Sequence, residues 1–176
     1  MGKYNFNLND SSIKVGGGSP STKLPPGHYR VRIEKAFLKP SEDKNRLKTQ
    51  YFISEFVVVK KFAGGEQIID KHGNLFPGTK EGDYRSWSCD LGYDSGAGAL
   101  NAYLAAVDGV DPTDPEALRD AKIDFMELLD VALDAKNEMR GVEVDVTTSL
   151  KRTKPKLGKP EGNDFMLYQF SPVPSE

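Results

Sequence analysis

Cysteine and histidine are scarce in this sequence of 176 residues, which contains one cysteine, Cys89, and two histidines, His28 and His72. A single cysteine cannot form a disulfide within the chain, so we expect a reducing, cytosolic setting. Neither histidine has a second ligand at metal-binding spacing. The Gly-x-Ser-x-Gly motif of a nucleophile elbow and a phosphate-binding glycine loop are also missing. These absences predict a protein that is not an enzyme and uses neither a metal nor another cofactor.

Long apolar runs are absent as well. No segment approaches the roughly 18 to 20 consecutive apolar residues that a membrane-spanning helix needs. Residues 1–10 lack the basic region and the apolar run of a secretory signal. We therefore expect no membrane association and a cytoplasmic location.

The net charge is only −2, but the charges are distributed unevenly. Residues 108–134 contain nine acidic and two basic side chains, so this segment carries −7 and the rest of the chain carries +5. Residues 151–159 contain five basic side chains and no acidic one. Because salt screens charges beyond about 8 Å, this basic segment can attract a polyanion although the total charge is slightly negative.

The domain organisation follows from composition. Residues 1–24 are polar and include three consecutive glycines, so we predict a flexible N-terminal arm. A chain of this length suffices for one domain but not for two of ordinary size. We place that domain at 25–171 and a short tail at 172–176, because the prolines at 172 and 174 stop the last strand.

Alternation of apolar and polar side chains predicts five strands. They cover residues 28–38, 50–60, 83–91, 142–150 and 165–170. In the first strand, Tyr29, Val31 and Ile33 share one face. In the second, the even positions from Phe52 to Val58 carry no charge, so we expect that face to point inward. The glycine-rich segment 63–82 predicts an irregular connection or a small β excursion.

Between the third and fourth strands, the sequence period changes to that of a helix. Apolar side chains at helical spacing predict a short amphipathic helix with Asp94 or Ser95 as its N-cap: Leu100, Tyr103, Leu104 and Val107. The run Thr113-Asp114-Pro115-Glu116 predicts a capping box with proline at the first helical position. One or two further short helices follow, and we expect them to end before Gly141.

Three strands, a helical segment and two more strands form the element order of an OB-fold. An OB-fold is a five-stranded, partly open Greek-key barrel, and its helix lies between strands three and four. We therefore predict a mainly β protein, a five-stranded OB-type Greek-key barrel with a short helical segment between strands 3 and 4. The alternative is an unrelated five-stranded arrangement with one inserted helical segment.

In an OB barrel, ligands usually bind on strands two and three, flanked by the loop between strands one and two and the loop between strands four and five. Here those loops are 39–49 and 152–163, and both are basic on balance. We predict that cations in or beside them bind phosphates: Lys48, Lys151, Arg152, Lys154, Lys156 and Lys159. Such contacts release counterions, so binding should weaken as salt rises.

Unpaired bases also need aromatic faces on which to stack. Tyr51 lies on the outward face of the second predicted strand, and the third strand supplies Tyr84, Arg85 and Trp87. Each has a purely structural alternative. Trp87 alternates with apolar neighbours and so also fits the core, the tyrosines fit an ordinary barrel surface, and the basic loop fits a solubilising arm.

Two features resemble phage-encoded single-stranded-DNA-binding OB-fold proteins. The run Leu-Pro-Pro-Gly-His-Tyr-Arg-Val at 24–31 is similar to the start of their first strand. A strand bearing Trp87, followed by a short leucine-rich helix over 98–107, is similar as well. The resemblance covers roughly residues 24–171. It implies a sequence-independent single-stranded DNA-binding protein that acts in phage DNA replication or recombination, in the host cytoplasm.

The predicted partner is single-stranded DNA, with RNA as an alternative and homo-oligomerisation left open. Bacterial proteins of this function, and several phage ones, end in a long acidic tail that recruits partners, whereas this chain ends with a single acid. Either recruitment of replication or recombination proteins falls to the acidic segment 108–134, or this protein recruits no partner in that way. Two other functions remain open: a structural or adaptor OB-fold protein of a phage particle with no nucleic-acid role, and an inhibitor whose acidic helices mimic nucleic acid.

Overall fold

Strands dominate the part of the chain that the structure, a computed structural model, describes, namely residues 23–41, 50–152, 157 and 164–175. The strands are β1 (Gly27–Pro40), β2 (Gln50–Gly64), β3 (Ile68–Ile69), β4 (Leu75–Phe76), β5 (Tyr84–Asp90), β6 (Glu143–Arg152) and β7 (Asp164–Pro172). Between β5 and β6 lie α1 (Asp94–Val107), α2 (Pro115–Ala121) and α3 (Phe125–Leu133). Among the described residues, no helix has the length and apolarity needed to cross a membrane.

Five strands form one antiparallel sheet in the order β5-β2-β1-β6-β7. The prediction of a mainly β protein with five principal strands is therefore confirmed. The two short strands, β3 and β4, pair with each other in a separate hairpin, which is the predicted β excursion within 63–82. In the described residues no ladder joins β5 to β7. These edge strands instead approach through side chains, since the rings of Trp87 and Phe170 are 4.9 Å apart between centroids.

The core lies on the face of the sheet that the alternation predicted. Tyr29, Val31 and Ile33 of β1 are buried, and so are the even positions of β2 from Phe52 to Val58. Successive side chains of a strand point to opposite faces, so one apolar set is enough to fix which side of each strand faces inward. Val144 and Val146 of β6 complete the same layer.

Helix α1 fills the space between the two edge strands, packing against β5, β6 and β7. Leu100, Tyr103 and Leu104 are buried as predicted. The ring of Tyr103 lies 5.3 Å from that of Trp87 and 5.2 Å from that of Phe170, between centroids. The helix is therefore part of the core and not an accessory on the surface.

Two predicted helix caps are wrong in detail. The N-cap of α1 is Tyr93, which makes no side-chain cap hydrogen bond, so neither Asp94 nor Ser95 caps it. The N-cap of α2 is Asp114, whose carboxylate accepts from the N–H groups of the second and third helical residues. Thr113 instead donates its hydroxyl to Asp111. Pro115 is the first helical residue, as predicted.

The chain enters the fold through a segment that seals one end of the core. Leu24 is completely buried, and its N–H donates to the Tyr168 hydroxyl at 3.0 Å. The hydroxyls of Tyr29 and Thr148 both donate to the carbonyl of Pro25, at 2.8 and 2.6 Å. The folded unit therefore includes Leu24, which the sequence placed at the end of the arm. The rest of the predicted arm, 1–22, lies outside the described residues.

Candidate nucleic-acid interface

The solvent side of β5, β2 and β1, opposite the core, carries the predicted stacking tyrosines. We refer to this surface as the outer face. Tyr84 is 57% exposed and Tyr51 is partly exposed. Tyr51 directly precedes the buried Phe52, and Tyr84 directly precedes the half-buried Arg85. The register pairs Tyr51 with Asp90 and Tyr84 with Val57. Six residues of strand separate the two positions, so the tyrosines mark the ends of a strip about 20 Å long.

Half-buried apolar side chains connect the two tyrosines. Ile53 of β2 lies opposite Phe37 of β1, and Val57 lies opposite Tyr84. The ammonium of Lys35 is 5.2 Å from the centroid of the Phe37 ring, a cation–π distance. The strip therefore offers aromatic and aliphatic contact area with a cation beside it. Sequence reasoning missed Phe37, because simple alternation puts it on the same side as Tyr29, Val31 and Ile33. Only the register shift between Ile33 and Lys35 turns it to the outer face.

Trp87 does not lie on this surface. It is 6% exposed, and its ring packs against the rings of Phe52, Tyr103 and Phe170 inside the core. In this conformation the indole has no open face for a base. Burial is the alternative that its alternation with apolar neighbours allowed, and the outer face therefore does not include Trp87.

Arg85 also points away from the outer face. Its side chain is only 11% exposed, and the guanidinium donates to the Thr79 hydroxyl, to the carbonyls of Gly78 and Tyr84 and to the Asp83 carboxylate. These bonds fix the loop that precedes β5. The guanidinium therefore holds the strand that presents Tyr84, and its donors already have partners within the protein.

The basic loops leave the sheet at opposite ends of β1. Pro40 pairs with Gln50, so the loop between β1 and β2 lies at the C-terminal end of β1. Gly27 pairs with Thr148, so β6 continues past the N-terminal end of β1 toward the loop that joins it to β7. Lys151 and Arg152 are exposed in that extension. The other predicted phosphate-binding cations lie outside the described residues: Lys48, Lys154, Lys156 and Lys159.

An aromatic and cationic cluster that the sequence did not predict lies at the N-terminal end of β1. The Phe62 ring, 41% exposed, is 4.7 Å from the His28 ring between centroids. The guanidinium carbon of Arg30 and the ammonium of Lys60 lie 5.4 and 5.3 Å from its centroid. We refer to these four residues as the Phe62 cluster. The sequence shows a basic pair directly before an aromatic residue, Lys60-Lys61-Phe62, but it does not show that Lys60 and Phe62 share a face with His28 and Arg30.

Charges on the described part of the outer face are nearly balanced. Arg32 pairs with Glu34 at 3.3 Å, and Lys35 lies opposite Glu55 in the ladder. The nine acids of 108–134 are all exposed, and two of them, Asp114 and Asp124, cap helices. The acidic segment is therefore a solvated surface on the helices, separate from the outer face.

The buried Tyr29 phenol and Cys89 thiol stay protonated at neutral pH. Burial raises the pKa of the Tyr29 phenol to about 12. Burial also raises the pKa of the Cys89 thiol to about 12, so little of the reactive thiolate forms near pH 7. Within the described ranges, no group of three or more His, Cys, Asp or Glu side chains could hold a metal ion.

Comparison with known proteins adds no family to this description. No protein-family model matches the sequence, and no curated protein matches it at a significant level. Any functional assignment therefore depends on the geometry of the outer face and on the residues that flank it.

Proposed function

We propose that this chain is a sequence-independent single-stranded DNA-binding protein built on an OB-type barrel. Numbering only the five strands of the large sheet along the chain, their spatial order is 3-2-1-4-5, with the helices between strands three and four. This arrangement supports an OB-type Greek-key barrel that carries the β3–β4 hairpin as an insertion. The contact between Trp87 and Phe170 supports a sheet that curls until its edges meet.

The observation that carries the proposal is the position of Tyr51 and Tyr84. Both lie on the outer face of the two strands on which OB barrels usually bind ligands. A large, exposed aromatic side chain adds nothing to the core, whereas it offers a face on which a base can stack. Each stacked base contributes roughly 1–3 kcal/mol, and every base has such a face, so this mode of binding tolerates any sequence.

Phosphate contacts would come from the cations that flank the strip. Lys151 and Arg152 are exposed where β6 extends past the N-terminal end of β1. Lys48 belongs to the segment between β1 and β2 and lies outside the described residues. A strand of DNA lying on the outer face would then have its bases on β2 and β5 and its backbone near both loops. A duplex keeps its bases stacked on each other and so cannot use the tyrosines.

The biological setting remains part of the proposal. A protein that coats single-stranded DNA would act in DNA replication or recombination. The resemblance of its first β-strand and its tryptophan-bearing β-strand to phage-encoded proteins supports a phage as the setting. The exposed acids of 108–134 lie away from the outer face, so a replication or recombination protein could contact them while DNA is bound.

The test is a binding titration with a labelled oligo-dT strand and a duplex of equal length, followed by fluorescence anisotropy. We expect the single strand to bind more tightly. Replacing Tyr51 and Tyr84 with alanine should weaken binding by at least about fivefold for each tyrosine, from the stacking energy of one base. Met126→Ala is the matched control, because this side chain is 68% exposed and belongs to α3 and not to a strand of the outer face. Equal binding of single strand and duplex, or of parent and tyrosine variant, would refute the proposal.

The phosphate contacts are tested by salt dependence. Replacing Lys151, Arg152, Lys154 and Lys156 with alanine should lower the slope of log affinity against log salt by about 0.7 for each lost contact. The tyrosine variants should keep the parent slope, because stacking releases no counterions. A charge variant that binds like the parent at low salt would remove the basic loop from the mechanism.

A further inference from the structure

Phe62 is an exposed aromatic residue that lies outside the hydrophobic core. The residue lies near the end of β2, beyond Val57, where the pairing between β2 and β5 stops. Its ring is 41% exposed, although a buried phenylalanine would contribute about 1.5–3 kcal/mol to stability. An exposed aromatic side chain next to several cations is the combination that binds unpaired bases and phosphates.

The cations around Phe62 hold the ring in place. The guanidinium of Arg30 and the ammonium of Lys60 are both within cation–π distance of the ring, and His28 packs against it at 4.7 Å between centroids with an interplanar angle of 37°. Arg30 is itself fixed, since its guanidinium donates to the two Asp145 carboxylate oxygens at 2.8 and 3.2 Å. The ring is therefore ordered before any ligand arrives, which reduces the entropic cost of binding.

The cluster lies on the same surface as the tyrosines. Tyr29 and Val31 of β1 point inward, so His28 and Arg30 point outward, and Phe62 contacts both of them. Along β1, His28 pairs with Ala63 and Lys39 pairs with Tyr51. Eleven residues separate these two pairs, so the distance from Tyr51 to the Phe62 cluster is about 35 Å.

We propose that Phe62 is a third base-stacking platform, with Lys60 as its phosphate contact. The bound strand would then run along β2, from Tyr51 past Tyr84 to Phe62, and leave the sheet beside the extension of β6. This proposal rests on single-stranded DNA binding by the outer face and adds a path and a length to it. Short oligonucleotides reach only part of the path, and longer ones reach all of it.

The experiment measures affinity against length, with oligo-dT of about 4, 8, 12 and 16 nucleotides, the range of site sizes of single OB folds. Phe62→Leu keeps an apolar side chain at the exposed position but removes the aromatic face, and Phe62→Trp keeps an aromatic face. Ile69→Ala is the matched control, because Ile69 is another exposed large apolar residue and lies in the separate β3–β4 hairpin. Circular dichroism of each variant checks that the fold is retained.

We expect Phe62→Leu to weaken binding of the longest strand by about 5- to 150-fold, to leave the shortest nearly unaffected, and to be rescued by Phe62→Trp. A Phe62→Leu protein that matches the parent at every length, while the Tyr51 and Tyr84 variants bind weakly, overturns the third platform and leaves the proposed function intact. A parent protein that binds no oligonucleotide of any length overturns both.

Discussion

The hydrogen bond between Ser54 and Tyr103 connects β2 to helix α1 across the core. The two hydroxyl oxygens are 2.8 Å apart, and both side chains are almost completely buried. Tyr103→Phe leaves the Ser54 hydroxyl without this partner, and Ser54→Ala does the same to the phenol. An unsatisfied buried polar group costs about 1–3 kcal/mol, so each single variant should lose that much stability. In a protein of 176 residues, each kcal/mol lowers Tm by about 2–4 °C.

The double variant distinguishes this bond from ordinary packing. Removing both hydroxyls leaves no orphaned group, so the double variant should be more stable than the sum of the single losses predicts, by about 1 kcal/mol or more. Urea unfolding followed by Trp87 fluorescence suits the measurement, because the indole lies 5.3 Å from the Tyr103 ring between centroids. Tyr84→Phe and Ser88→Ala, on the exposed outer face, are matched controls and should change stability little. Losses that simply add would refute the reasoning.

Three further predictions concern stability. Gly96→Ala should destabilise strongly, because its Cβ would collide with the Asp90 carbonyl oxygen. Gly98→Ala, with nothing within 4 Å of its Cβ, should stabilise α1 by about 0.5–1 kcal/mol, and thermal unfolding of both variants tests the difference. Stability should fall as pH rises from 10 to about 12, because burial raises the pKa of Tyr29 to about 12 and the unfolded chain loses this proton first. Burial also raises the pKa values of Tyr103 and Tyr168, so Tyr29→Phe should reduce this fall in a urea-unfolding pH series without abolishing it. Asp114→Ala should cost about 1 kcal/mol and increase hydrogen exchange in α2, and unchanged exchange would count against the cap.

The burial pattern of the strands could be read from the sequence because alternation fixes a face. Phe52, Phe56 and Val58 have no charged neighbour on their side of β2, and they are buried together. The element order could be predicted as well, because the change from a period of two to a helical period marks where the strands stop. Both are local properties of the chain.

Cap identity and the Phe62 cluster could not be predicted because they depend on local backbone geometry. Thr113 and Asp114 are both good N-cap residues, and only the extended backbone of Asp114 immediately before the helix decides between them. Near Phe62, the pairing of β1 with β2 shifts between His28 and Tyr29 and again between Arg30 and Val31. Each shift breaks the count of alternating positions, so the face of a residue beyond it cannot be read from the sequence.

The sequence alone also could not show which of the two aromatic residues of β5 is buried. Tyr84 and Trp87 are three residues apart, so they must lie on opposite faces of β5, but composition does not say which one is buried. The space beside α1 decides, since Tyr103 and Phe170 surround the indole. Tyr84 is left on the outer face.

Photocrosslinking of the protein to oligo-dT, with the modified residues identified by mass spectrometry, tests the central claim most directly. If bases stack on the outer face, ultraviolet light should join thymine to Tyr51 and Tyr84, and excess unlabelled single strand, but not duplex, should suppress both adducts. Adducts confined to α2 and α3, or the absence of any adduct at a protein concentration that saturates binding, would contradict the account.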